Sequence, residues 1–389
     1  MKDKTEKIKE IFKRGTEEII EKRHLEQRLE SGKKLRIKFG IDPTANFLHL
    51  GHAVCLLKLK EFQKLGHRVI FLIGDFTARI GDPTGRTISR VPLSEKQIKA
   101  NMGDYIEQAA LILDMSKVEI RYNSEWWSKM SVEQMMILAM KLTYSQISAR
   151  ADFQKRLAED KDFTLEEFMY PVLQGYDSVV LKADVEIGGT DQKFNMLLGR
   201  RIQKKYDQEP QDVIMMPLLE GLDGKEKMSK SSNNYIAFTE PPTEMFGKIM
   251  SIPDQIMGKY FELLTDISKE EIENLNPRDQ KIRLAWEIVN FFHDKKEADN
   301  AQKDFIRVFR ERKAPDQIKT IKINPRSIGA KELLAKCDLA KSLSEAQRLI
   351  EQGAVSLDGQ IIKDWRQKIS IKKPSVLKAG KHHFVKLIP

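Results

Sequence analysis

The stretch from residue 35 to residue 75 constrains the chain most. Leu35-Arg36-Ile37-Lys38-Phe39-Gly40 alternates apolar and basic residues and ends in glycine, as a strand running into a loop does. A helix begins near Leu50, with Val54, Leu57, Phe62 and Leu65 as its apolar positions until Gly66 stops it. Val69-Ile70-Phe71-Leu72-Ile73-Gly74-Asp75 is then a short apolar run closed by Gly-Asp, the pattern of a buried parallel strand. Strand, helix and strand in this order make a βαβ unit, which commits the two strands to one parallel sheet.

Residues 1–34 carry Ile8, Ile11, Phe12, Ile19, Ile20 and Leu25 at roughly helical spacing, which predicts an amphipathic N-terminal helix or pair of helices. Residues 95–183 read as mainly helical, and Met130, Met135, Met136 and Met140 as core methionines. Strands return at Ala183-Asp184-Val185-Glu186-Ile187, closed by Gly188-Gly189, and at Asp212-Val213-Ile214-Met215-Met216 ahead of Pro217. Beyond Pro241-Pro242 the pattern is helical through Phe309, and 313–325, with Pro315 and Pro325, reads as a linker. The last block predicts a capped helix over 344–350, a strand over 354–357, an Asp358-Gly359 turn and a second strand, a small α+β module.

Composition narrows the class. With 41% hydrophobic and 32% charged residues the chain is neither disordered nor collagen-like. No apolar run reaches the ~18 residues of a membrane span, and the start at Met1-Lys2-Asp3-Lys4 carries no apolar leader, so neither a membrane nor secretion is expected. Cys55 and Cys337 alone cannot build a disulfide framework or a four-ligand zinc site, and a reducing cytoplasm is the expected home. Of the net charge of +10, residues 321–389 hold 14 Lys and Arg against 6 Asp and Glu, a net +8. A positive excess on one short terminal segment is the footprint of a polyanion partner, or else a solubilising face.

Two segments carry chemistry. His49-Leu50-Gly51-His52 starts the helix of the βαβ unit; the two imidazoles share one face, and Gly51 lets a flat ring approach the backbone. Free N–H groups at that helix start suit phosphates. In a chain with 7 His and 21 Gly the pattern arises by chance about 0.007 times, although one histidine capping the helix while the other packs is a bland alternative. Far downstream, Lys227-Met228-Ser229-Lys230-Ser231 follows Gly221-Leu222-Asp223-Gly224 in a glycine-bracketed loop. Two ammonium groups three residues apart, with hydroxyls beside them, suit a departing pyrophosphate, whereas a lysine pair taken alone is usually solvated surface.

Together these segments resemble the two signatures of the class I aminoacyl-tRNA synthetases. Gly40-Ile41-Asp42-Pro43-Thr44, Gly81-Asp82-Pro83-Thr84-Gly85-Arg86, Tyr170-Pro171-Val172-Leu173-Gln174-Gly175-Tyr176-Asp177 and Gly188-Gly189-Thr190-Asp191-Gln192 are similar to motifs of the bacterial-type tyrosyl enzymes within that class. The resemblance implies an α/β fold: a Rossmann-like nucleotide-binding domain over residues 1–225 with a helical connective insertion at about 95–183, and the signature loop with a helical anticodon-side domain over 226–320. Residues 330–389 resemble an S-four-like RNA-binding domain, in line with the positive charge of that segment.

The implied reaction joins L-tyrosine to ATP as tyrosyl-adenylate, with release of pyrophosphate, and then transfers the tyrosyl group to the 3′-terminal ribose of tRNA(Tyr). By resemblance His49, His52, Thr44, Lys227, Lys230, Ser231 and Arg86 are the catalytic set, with Thr44 and His49 on the phosphates, His52 on the nucleotide side and the lysines, Ser231 and Arg86 on the pyrophosphate, and Gly51, Gly189, Asp191, Arg90 and Met228 hold the nucleotide. Gly40, Asp42, Asp82, Tyr170, Gln174, Asp177 and Gln192 surround tyrosine, with Asp177 on the phenol hydroxyl and Asp82, Tyr170 and Gln174 near the ammonium. Mg²⁺ arrives with ATP rather than in a dedicated protein site, and a homodimer is implied. The spacing of Tyr170, Gln174 and Asp177 by four and three puts them on one helical face. Many tyrosyl enzymes place a tyrosine where this chain has Lys38, which leaves two expectations, a contact with substrate or a pairing with Asp177. Cys55 is either near the ribose or a small buried thiol. A tryptophanyl enzyme and a non-catalytic RNA-binding protein are the competing readings.

Overall fold

The first unit opens with α1 (Lys2–Lys13), the short strand β1 (Glu18–Ile20) and α2 (Lys22–Glu30), then forms the βαβ unit from β2 (Arg36–Ile41), α3 (Leu50–Lys64) and β3 (Arg68–Ile73). β2 and β3 pair in parallel from Arg36 against Arg68 to Ile41 against Ile73. Further along come α4 (Glu95–Ala110), β4 (Val118–Tyr122), α5 (Ser124–Trp127), α6 (Val132–Met140), α7 (Tyr144–Ser148), α8 (Ala151–Ala158) and α9 (Leu165–Leu181). β5 (Val185–Gly189), α10 (Lys193–Lys205) and β6 (Asp212–Met216) complete the sheet. The computed structural model describes residues 2–84, 93–162, 164–310, 320–323, 327–380 and 383–389. Arg86, Arg90 and most of the expected linker at 313–325 lie outside them.

The sheet order is β1-β6-β5-β2-β3-β4, parallel throughout except for β1. The chain builds outward from β2 through β3 and β4, then returns to the other side of β2 for β5 and β6. The order therefore reverses between β2 and β5, and in a doubly wound sheet the ligand crevice lies at such a reversal, outside the carboxyl ends of the strands.

Two strands go beyond the sequence reading. β4 lies inside the segment read as mainly helical, because its charges masked its alternation: Glu119 takes Arg68 at 2.7 Å and Arg36 at 3.2 Å, and Arg121 pairs with Glu125. Charges of this kind suit an edge strand, whose open side must resist pairing with another chain. β1 is only three residues long and covers the opposite edge, antiparallel to β6. The methionine expectation also needs correction. Met130 and Met135 pack partly against a core cluster that includes Trp127, Leu138 and Phe153, but Met136 is exposed and Met140 is 82% exposed.

The first unit, Met1–Phe292, ends in α11 (Pro242–Ser251), α12 (Asp254–Leu264), α13 (Lys269–Glu273) and α14 (Pro277–Phe292). The second, His293–Pro389, contains α15 (Lys295–Arg310), β7 (Thr320–Lys322), β8 (Ile328–Gly329), α16 (Ala330–Lys336), α17 (Leu343–Glu351), β9 (Val355–Leu357), β10 (Gln360–Ile361), β11 (Lys368–Ile369), β12 (Ser375–Ala379) and β13 (His383–Ile388). Its five-stranded sheet runs β10-β9-β12-β13-β7, over a core that includes Leu333, Leu334, Ile350, Leu377 and Leu387. The cap of α17 is Ser342 rather than Ser344, its hydroxyl accepting the Glu345 N–H at 3.2 Å. The turn between β9 and β10 has φ of 49° at Asp358 and 84° at Gly359, as a tight two-residue hairpin requires.

Candidate functional site

A cleft of about 1160 Å³ opens at the carboxyl ends of β2 and β5, and every described residue singled out for a site lines it. Backbone pairing, not sequence proximity, brings the two signature segments together. The Leu50 N–H donates to Ile236 O and the Phe238 N–H to Leu48 O, each at 3.0 Å, so the chain leaving the lysine loop runs antiparallel along the start of α3. The loop itself is a hairpin, closed by Met228 N–H to Leu219 O at 2.7 Å and Gly221 N–H to Glu226 O at 2.8 Å. Asn234 Oδ1 accepts the Ser229 N–H at 2.8 Å and fixes the loop from below. A Cβ on Gly51 would sit 3.1 Å from the His49 ring and 3.7 Å from Met228 Cβ, so this glycine permits the two signatures to close on each other.

At this end of the cleft the histidines are neutral. Burial, with Lys230 and Lys227 nearby, pulls His49 down to about 3, and burial beside His49 holds His52 well below the ordinary imidazole range. The His49 backbone N–H donates to His52 Nδ1 at 3.1 Å, and the rings lie 3.8 Å apart. His49 Nδ1 is buried with no hydrogen-bond partner among the described residues, which a ligand atom could supply. Lys230 donates to Tyr105 Oη at 2.6 Å, and its Nζ lies 5.1 Å from the centroids of both Phe47 and Tyr105. Lys227 pairs with Asp191 at 2.6 Å, and the Ser231 hydroxyl lies 3.3 Å from that of Ser229. Cys55 is a buried thiol pushed up to about 12, too high to ionise.

The opposite end is acidic and enclosed. Asp177, on α9, is buried; its Oδ1 accepts the indole N–H of Trp127 at 2.8 Å and of Trp126 at 2.9 Å, and its Oδ2 accepts the Asn123 amide at 3.3 Å. Burial raises it to about 6 against the pull of Lys38 and these three donors. Asp42 accepts the Thr77 hydroxyl at 2.8 Å and the Tyr170 hydroxyl at 2.9 Å, and burial together with Asp82 and Asp177 raises it to about 7. Gln192 donates to Asp82 at 2.6 Å, while Asn195 links Gln192 to Gln174 with bonds of 3.0 and 2.9 Å. Three carboxylates held this close in a buried site favour a cation among them. Gly74 is required here, because a Cβ would overlap Asp42 and Thr77.

Of the two expectations for Lys38, the pairing with Asp177 is not the one the structure holds. Its ammonium pairs with Glu186 at 2.8 Å rather than with Asp177, and it also donates to Ser178 Oγ and Gln174 O. The sequence reading passed over Glu186, Asn123, Trp126, Trp127, Tyr105 and Phe47. Only the Trp126-Trp127 doublet carried a signal, since an indole buried with its N–H needs an acceptor. Among the described residues no cluster of three or more His, Cys, Asp or Glu side chains could hold a metal ion.

Residues 30–310 match the family model described as tRNA synthetases class I (W and Y), and residues 332–371 match that of the S4 domain. Tyrosine–tRNA ligase of Idiomarina loihiensis is 49% identical over 392 residues, covering 98% of each chain. That of Shewanella oneidensis is 49% identical over 396 residues, covering 100% of this chain and 99% of its own. Among solved structures, tyrosyl-tRNA synthetase of Archaeoglobus fulgidus complexed with L-tyrosine superposes with a TM-score of 0.63 at 25% identity, over 76% of this chain and 99% of that one.

Proposed function

The chain belongs to the class I tRNA synthetases (W and Y) and is a tyrosine–tRNA ligase with ATP as a substrate, and from that premise we propose how its residues carry the reaction. The observation that supports the assignment of roles is the polarity of one cleft: a buried carboxylate at its closed end, and two lysines with neutral imidazoles at the other.

Tyrosine enters with its phenol toward Asp177 and its ammonium among Asp82, Tyr170 and Gln174, with Gly40 and Asp42 beneath it. Gln192 holds the reacting carboxylate, and Gly189 and Asp191 hold the ribose. A carboxylate oxygen attacks the α-phosphorus, and the bond from that phosphorus to the departing pyrophosphate breaks. The nucleophile is already an anion, so the protein needs no base; its work is alignment and charge stabilisation. Thr44 and His49 donate to the phosphates, His52 orients His49, and Gly51 and Met228 form the nucleotide wall. Lys227, Lys230 and Ser231 clamp the pyrophosphate, with Arg86 and Arg90 as further cations and Mg²⁺ entering on ATP. Asp191 binding ribose frees Lys227 from their 2.6 Å ion pair. The tRNA 3′-terminal ribose hydroxyl then attacks the tyrosyl carbonyl, and AMP leaves. Amino-acid-dependent exchange of labelled pyrophosphate into ATP tests this with all twenty amino acids: tyrosine alone should support rapid exchange, and equal exchange with tryptophan would overturn the pocket assignment.

The second unit is the tRNA-binding part in this proposal, supported by its S4 match and by the positive charge of residues 321–389. Removing 320–389, which takes strand β7 with the sheet it joins, should leave pyrophosphate exchange within about twofold and lower tRNA charging at least about tenfold, because phosphate contacts supply much of nucleic-acid affinity. Equal loss of both activities would assign the segment a folding role.

The homodimer rests on an apolar face. Val132, Met136, Ile137, Met140, Tyr144 and Leu165 are exposed within residues 132–165, and exposed apolar side chains gathered in one segment mark a surface for a partner. In this arrangement the exposed methionines cover a second copy, and the proposed home is the cytoplasm. Met136→Glu/Met140→Glu should sediment as a monomer; an unchanged mass would place the interface elsewhere.

A further inference from the structure

Lys38 is the least expected group beneath the cleft. It is 0% exposed, on β2 at the reversal of strand order, and its register neighbour on β5 is Glu186. An ammonium has three N–H donors. Here they go to Glu186 Oε1 at 2.8 Å, Ser178 Oγ at 2.8 Å and Gln174 O at 3.2 Å, leaving none for a substrate. Glu186 is equally engaged, accepting from Ser178 at 3.3 Å, from Gln174 at 3.4 Å and from Gln211. A buried ion pair adds little net stability compared with apolar packing of the same volume, so stability gives a weak account of this one.

Its position suggests another. Gln174 and Ser178 flank Asp177 on α9, so Lys38 pins the turn that carries two tyrosine-facing groups. We propose that Lys38, locked by Glu186 and Ser178, is a positioning residue that selects the substrate without touching it, presenting Asp177 to the phenol hydroxyl as a charged acceptor. The proposal rests on the reading of Asp177 as the phenol partner. A charged Asp177 accepts the phenol O–H at its remaining acceptor site, which phenylalanine leaves unfilled; a protonated one imposes no such penalty. The groups around Asp177 pull in both directions. Lys38 on β2 and the N–H donors of Asn123, Trp126 and Trp127 favour the charge, whereas burial and the carboxyl of Asp42 after β2 oppose it; Asp82 lines the same cleft, and Glu186 on β5 faces Lys38 rather than Asp177. Tyr170, on the same helix, stays a neutral donor to Asp42.

The test is the ratio of kcat/KM for tyrosine to that for phenylalanine, measured by pyrophosphate exchange with the full chain from about pH 5 to 8.5. Both substrates share the ammonium, the carboxylate and ATP, so titration of Asp42 acts on both alike, whereas that of Asp177 bears on the hydroxyl that only tyrosine carries. Selection should weaken in the wild type as pH falls through about 6. In Lys38→Met the fall should move up by about one pH unit, which on the acid limb lowers selection about tenfold at a given pH. In Glu186→Gln, with the lysine no longer offset, it should move down. A residue that merely supports the fold cannot shift the profile in opposite directions in these two variants. Profiles that coincide with the wild type, or that move the same way in both, overturn the proposal. If Lys38→Met does not fold, the downward shift in Glu186→Gln decides alone. Asp177→Asn separates the two readings: loss of selection there with unmoved profiles here refutes Lys38 only, while intact selection there refutes the phenol assignment itself.

Discussion

Asp177→Asn should lower selection of tyrosine over phenylalanine by at least about a hundredfold. The carboxylate keeps an acceptor site for a phenol proton after taking two indole N–H groups and one amide. An asparagine there keeps an oxygen for the indoles but turns an N–H toward the phenol. Leaving one acceptor site of a buried charged group without its donor costs about 3 kcal/mol, roughly a hundredfold, and that is the penalty phenylalanine meets only while Asp177 is charged. Parallel exchange assays with the two amino acids measure it; an unchanged ratio would mean that another group reads the hydroxyl. The variant should also melt no lower than the wild type at neutral pH. Folding raises this carboxyl from 3.8 to about 6, so the folded form favours the proton, and the stability linked to it is complete below 3.8 and lost as pH rises through about 6. A neutral asparagine removes that loss, a case of a site held at some cost to stability.

Lys230→Ala should lower kcat for adenylate formation by about 10²–10³ while KM for tyrosine stays within about twofold. Negative charge grows on the bridging oxygen as pyrophosphate departs, and a cation fixed beforehand stabilises that state more than the ground state. Lys230 is fixed: Tyr105 accepts its proton at 2.6 Å and two aromatic faces lie 5.1 Å away. His49→Ala should act in the same direction through loss of a neutral donor. Because His49 sits at about 3, activity should show no titration of this group near pH 6.5. Single-turnover adenylate formation measures both variants, and an unchanged kcat in either would remove that residue from the phosphate clamp.

The sequence carried the βαβ unit because its apolar positions recur with the period of each element, and β2, α3, β3 and β6 appear where that period predicts them. It hid β1 and β4, where three residues or alternating charges leave too little periodic signal. It misread Met136 and Met140 as core because helical spacing says which residues share a face, not what that face meets.

The same division holds in the cleft. His49, Gly51, Lys227 and Lys230 were legible because their chemistry lies in short contiguous motifs, as was the helical face shared by Tyr170, Gln174 and Asp177. What only the folded chain decided is which distant groups complete them: Glu186 beside Lys38, Trp126 and Trp127 on Asp177, Tyr105 under Lys230. Local spacing fixes the direction of a side chain from its own backbone. The charge state and partner of a buried group depend on everything packed around it, and here that packing joins segments more than a hundred residues apart, as with Tyr105 and Lys230, which lie 125 positions from each other.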